Sequence, residues 1–192
     1  MAGRAPLLPY VTFEADPPEL PVRQRGDRGG PEYVVTASVL AEEAHGLRLA
    51  GTTQHGTVLT ITVSVVAPGV VRVWLAGQDA DPHRVTLARE VPAPPDVTVE
   101  KMTGRYTLQA DPVTVQVDLD PFHLTFYGPD GRILLDQNYT DSDVTDRLYT
   151  LPFGFSQVDG QRAAFHDSFT AQPDEHFYGF GEKFTDFDKR GQ

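Results

Sequence analysis

A chain of 192 residues with 40% hydrophobic content and no cysteine has enough apolar mass for one packed domain, but no disulfide to staple it and no thiolate to hold a metal. Lys and Arg number 16 against 27 Asp and Glu, and the net charge of −11 repels a phosphate backbone, which argues against nucleic acid as a partner. The opening residues, Met1 to Tyr10, carry one charge, Arg4, and no apolar run able to serve as a signal-peptide core, so the expected location is cytoplasmic.

Residues 1–31 read as a leader, a loose loop or an edge strand, because seven prolines and glycines fall between Ala15 and Pro31 with little apolar periodicity. From Tyr33 the texture changes to short alternating segments, and a single domain is expected over 32–192. Strands are expected at 33–40, 45–52, 57–66, 70–76, 83–89, 105–110, 112–119, 122–127, 131–136, 146–151, 161–170 and 175–178.

The run 57–76 contains a single charge, Arg72, and has the length of a membrane span. Its internal pattern excludes that reading. Leu59, Ile61, Val63 and Val65 alternate with Thr60, Thr62 and Ser64, and Ala67-Pro68-Gly69 interrupts the run where a hairpin would turn, so it reads as two paired strands and no membrane partner is expected. Trp74, the one tryptophan, falls out of phase with Val71, Val73 and Leu75. It is either an exposed platform for a sugar ring or the second face of a sheet covered on both sides.

Pro92-Ala93-Pro94-Pro95 is the best internal linker, and with strands on both flanks it is expected to join two sheets of one sandwich. Val113, Val115, Val117 and Leu119 then alternate with Thr114, Gln116 and Asp118. Phe122, Leu124 and Phe126 lead into Gly-Pro-Asp-Gly at 128–131, where Pro129 presets the backbone and Gly131 accepts a positive φ, and Ile133 and Leu135 follow. No segment carries a helical stripe, and Glu42 and Glu43 fit at most a short turn. The fold class is all-β, an antiparallel sandwich or barrel.

The chemistry-bearing clusters are sparse. Asp141-Ser142-Asp143-Val144-Thr145-Asp146 brings three carboxylates together, but the glycine and the distal bidentate glutamate of a calcium loop are missing, so a solvated acidic loop is expected. His45 and His55, expected on adjacent strands, and His166 beside Asp167 show no third ligand at metal-binding spacing. Gly179-Phe180-Gly181 is half of a dinucleotide fingerprint, with neither a third glycine nor a following helix, and no Gly-x-Ser-x-Gly elbow occurs. Neither metal nor cofactor is expected.

The last stretch, from Phe169 to Gln192, contains Phe177-Tyr178-Gly179-Phe180-Gly181-Glu182-Lys183-Phe184 and closes on Asp188-Lys189-Arg190-Gly191-Gln192. It closely resembles the end of the N-terminal domain of glycoside hydrolase family 31 enzymes, most of all bacterial α-xylosidases and α-glucosidases. Pro121-Phe122-His123-Leu124 and the Asp-Gly hairpin after it are similar to the same family. The resemblance implies a galactose-mutarotase-like β-sandwich packed beside a (β/α)₈ barrel. It also implies retaining hydrolysis of α-linked carbohydrate by two aspartates, one nucleophile and one acid/base, which such chemistry holds about 5 Å apart in one rigid site. In that family both aspartates lie on the barrel, which takes roughly 200 residues or more. The expectation is therefore that no carboxylate of these 192 residues inherits a catalytic role.

On this reading Gly179 and Gly181 allow close backbone approach, and Phe177, Tyr178, Phe184 and their aromatic neighbours meet the barrel and steer the next loop toward the sugar pocket. Glu182, Lys183 and Arg190 pair across the boundary. The same aromatics serve equally well as plain core, and the charges as plain surface. With its partner face bare, the chain is expected to self-associate. The alternative is an autonomous carbohydrate-binding sandwich that stacks sugars on Trp74.

Overall fold

The computed structural model describes residues 31–75, 92–139, 142–145, 148–158, 161–172, 174–176 and 178. The strands run, in chain order, β1 (Glu32–Glu43), β2 (Gly46–Thr53), β3 (Val58–Ala67), β4 (Val70–Leu75), β5 (Thr98–Met102), β6 (Arg105–Ala110) and β7 (Val113–Leu119). They continue with β8 (Phe122–Tyr127), β9 (Ile133–Asp136), β10 (Ser142–Thr145), β11 (Leu148–Thr150), β12 (Gly154–Val158) and β13 (Gln161–His166). Among the described residues there is no helix, and so none long and apolar enough to cross a membrane.

Two antiparallel sheets form the body. One has six strands in the order β13-β12-β1-β2-β3-β4, and the other has five in the order β5-β6-β7-β8-β9. Strands β10 and β11 pair only with each other. The chain leaves the first sheet at β4 and enters the second at β5, with 92–97 irregular before it, so the proline-rich stretch does precede a change of sheet.

The period-2 patterns decide which side of each strand is inside. Leu47 and Leu49 of β2 and Leu59, Ile61, Val63 and Val65 of β3 are all essentially inaccessible. Leu108, Val115, Val117, Phe122 and Leu124 face them from the second sheet and join the same apolar cluster, as do Phe153 and Phe155. A side chain of this kind contributes about 1.5–3 kcal/mol when fully buried, so the alternation read in β3, β7 and β8 is also the main source of stability.

Both expected turns form. Gly131 sits at φ 76 and its N–H donates to Gly128 O at 3.0 Å. Gly69, between β3 and β4, sits at φ 72. Both glycines occupy the left-handed region that other residues avoid.

The structure corrects several expectations. Strand β5 was not foreseen because four of its five residues are exposed and its pattern barely alternates. Strand β12 opens on a glycine just after Pro152 and reads as a loop, yet it lies between β1 and β13. Ser142–Thr145 is a strand and not an acidic loop, since pairing with β11 overrides the polar composition. The expected strand at 161–170 ends at His166, after which Phe169 makes one bridge to Gln137. No strand runs through Glu175, His176 or Tyr178; instead Glu175 N–H donates to Gln172 O and the Glu175 carboxylate accepts from Gln172 N–H, closing a turn. His45 and His55 lie in turns at opposite ends of β2, and not on adjacent strands. The expected strand 83–89 and the leader through residue 30 lie outside the described residues.

Candidate functional site

The segment after β13 is the path to the glycine-and-phenylalanine motif, and side chains stitch it to the sandwich. Gln137 is almost fully buried and its side chain makes three hydrogen bonds to two partners. Its Oε1 accepts from Leu124 N–H at 3.1 Å, and its Nε2 donates to both oxygens of Asp167 at 3.1 and 3.0 Å. Ser168 N–H donates to Asp167 Oδ1, and Ser168 Oγ donates to Leu151 O at 2.7 Å. Backbone bonds from Asn138 N–H to Ser168 O and from Thr170 N–H to Asp136 O run alongside. His166 Nδ1 lies 2.6 Å from Pro152 O, and its Nε2 is buried.

Asp167 is exposed as a residue, but its carboxyl end is packed in, and this desolvation pushes its pKa up to about 6 against the opposing hydrogen bonds from Gln137 and Ser168. A carboxyl whose folded pKa is raised favours the fold below its unfolded value near 3.8, and that contribution is lost as pH rises through about 6. Asp167→Asn is therefore expected to flatten this pH dependence, so that the variant gains stability relative to wild type at pH 7.5 but not at pH 3.5. Thermal unfolding of both proteins at the two pH values measures the difference.

A second polar constellation lies on the outer face of the five-stranded sheet, where His123 stands between two carboxylates. Its Nε2 is 3.0 Å from Asp136 Oδ1, and its Nδ1 is 3.7 Å from Asp118 Oδ2. Asp118 also accepts from Arg105 Nε at 2.5 Å and from Gln116 Nε2 at 2.8 Å, and Thr125 Oγ1 donates to Asp136 Oδ1 at 3.3 Å. Tyr139 packs on the His123 ring with centroids 5.0 Å apart. These side chains, with Tyr127, line an open groove of about 450 Å³. Sequence reading missed the groove because alternate polar residues on a strand look like an ordinary wet face; the clue was His123 and Asp118 in register across β7 and β8.

Of the residues singled out in the sequence, Tyr178 is half-exposed and stacks with His176, their rings 16° from parallel. Phe177, Gly179, Gly181, Glu182, Phe184 and Arg190 lie outside the described residues. Trp74 sits on the outer face of the six-stranded sheet opposite Thr62, half-buried, with the Arg72 guanidinium 6.0 Å from its ring centroid. Its Nε1 is buried and meets no hydrogen-bond partner among the described residues. Neither Tyr178 nor Trp74 lines the groove.

Core-facing apolar side chains are left uncovered at the sheet margins. Leu135, opposite Phe126 on β9, is 41% exposed, and Phe169, whose ring lies 6.5 Å from that of Phe126, is 43% exposed. Phe165 on β13, opposite the fully buried Phe155, is 60% exposed.

A family model for the glycosyl hydrolase 31 N-terminal galactose mutarotase-like domain matches residues 60–192. The chain belongs to that family. It is 34% identical over 94 residues to an isomaltosyltransferase of Sporosarcina globispora, an alignment covering 49% of this chain and 8% of that protein. Its fold is similar to that of a cycloalternan-forming enzyme from Listeria monocytogenes in complex with a pentasaccharide substrate, with a TM-score of 0.62 and 20% identity over 84% of this chain and 14% of that one. A Flavobacterium johnsoniae GH31 dextranase complexed with glucose is similar with a TM-score of 0.52 and 18% identity over 83% of this chain and 18% of that one. The chain thus spans a small part of each of these relatives. The galactose-mutarotase-like sandwich implied by the 177–184 motif is the fold observed.

Proposed function

We propose that this chain is the non-catalytic N-terminal domain of a retaining α-glycosidase of the α-glucosidase or α-xylosidase kind, hydrolysing O-glycosyl bonds. Its work is to pack against a (β/α)₈ catalytic domain and to aim the 177–184 segment toward the sugar pocket. The observation that carries this reading is the partly exposed pair Leu135 and Phe169 beside Phe126, next to the stitched segment that leads to the motif. The isomaltosyl and dextran substrates in the relatives' names favour α-linked glucose over xylose. An autonomous module stacking sugars on Trp74 is less well supported, because Arg72 lies over that ring and the indole N–H is buried.

An uncovered docking face makes the isolated chain sticky. Light scattering is expected to show mass rising with concentration, and the double variant Leu135→Ser, Phe169→Ser is expected to suppress that rise. A strictly monomeric wild-type chain at high concentration would count against the docking face.

A further inference from the structure

The Asp118–His123–Asp136 groove takes no part in the docking reading, and its chemistry is specific. Its walls carry three carboxylates, Asp118, Asp120 and Asp136, against one guanidinium, Arg105, so the field opposes phosphate and other anions. Among the described residues no group of three or more His, Asp or Glu is placed to hold a metal ion. What fits is a neutral ligand able both to donate and to accept hydrogen bonds.

The groove offers both functions. Arg105 uses only Nε toward Asp118, leaving its two terminal nitrogens as donors. Both bonds reaching the Asp136 carboxylate fall on Oδ1, leaving Oδ2 to accept. The network that fixes these groups is already made, so a ligand meets them preorganised. Tyr139 is 47% exposed and its ring is propped against His123, giving an aromatic surface beside the polar groups. A propped aromatic ring next to fixed donors and acceptors is complementary to a pyranose, with its apolar face and its rim of hydroxyls. The volume of about 450 Å³ falls in the lower part of the range for small-molecule sites, roughly 300–1,000 Å³.

We propose that this groove is a binding site for a short neutral oligosaccharide, stacked on Tyr139 and hydrogen-bonded by Arg105 and Asp136. It is separate from the uncovered Leu135 and Phe169 face and stands or falls without it.

The test titrates isomaltotriose into the ¹⁵N-labelled chain and follows amide shifts. Saturable shifts are expected in β7, β8 and at Tyr139, with at least about tenfold weaker binding in Tyr139→Ala and in Asp136→Asn. Asp136→Asn keeps the side-chain shape and so carries the test if Tyr139→Ala fails to fold. Inorganic phosphate is expected to give no shifts there. The proposal is overturned by an absence of saturation up to about 50 mM trisaccharide, by shifts that map around Trp74 instead, by unchanged affinity in a folded Asp136→Asn protein, or by phosphate binding in the groove.

Discussion

Replacing Gly154 by alanine is expected to cost about 3 kcal/mol or more and to loosen the β12–β13 hairpin from the rest of the sandwich. Gly154 pairs with Tyr33 of β1 on one side and with His166 of β13 on the other. A Cβ there would stand 2.0 Å from the Glu32 carbonyl oxygen and 2.6 Å from Tyr33 Cα, both backbone atoms that no rotamer change can clear. The junction it would prise open is short: two register pairs, a bond from Val34 N–H to Phe153 O, and one from Gln157 Nε2 to Glu32 Oε1. Gly56→Ala is the control. That glycine has φ 83 but open space around it, so only backbone strain applies, about 1 kcal/mol. Urea unfolding of the two variants checks the contrast, and equal midpoints would show that the close approach of β1 and β12 is wrong.

The consequence extends past stability. The hairpin ends at His166, and the next four residues are tied to Gln137, Leu151 and Asp136. Loosening it would release the segment that leads to the motif.

How far the sequence was readable depended on how each strand meets water. Strands with one dry face, such as β3 and β7, print an alternation because every second side chain must be apolar, and their bounds were read to within a residue. Strand β5 lies at an edge with little to bury, so only its backbone pairing marks it, and pairing leaves no trace in local composition. Strand β12 is internal in its sheet yet opens on Gly154, a residue dictated by β1 passing close, which is a long-range fact that five residues of local sequence cannot announce. The candidate sites follow the same division. The 177–184 motif was visible as a resemblance, whereas the uncovered Leu135 and Phe169 and the Arg105, His123 and Asp136 groove arise only when the strands are laid side by side in register.

The second large effect concerns catalysis. Retaining hydrolysis needs two carboxyls about 5 Å apart facing a scissile bond, one ionised and one carrying the proton. Asp118 and Asp136, the two carboxylates that flank His123, are engaged by that histidine and by Arg105, Gln116 or Thr125. A domain that docks and positions, with the acid and nucleophile on its neighbour, should lack the chemistry altogether and not merely perform it slowly.

The decisive measurement is the release of p-nitrophenol from p-nitrophenyl α-glucoside and α-xyloside by the purified chain. The expected rate is that of buffer, at least about 10⁶-fold below the acceleration an enzyme provides. Saturable turnover that co-purifies with the folded chain and disappears on unfolding would contradict the account.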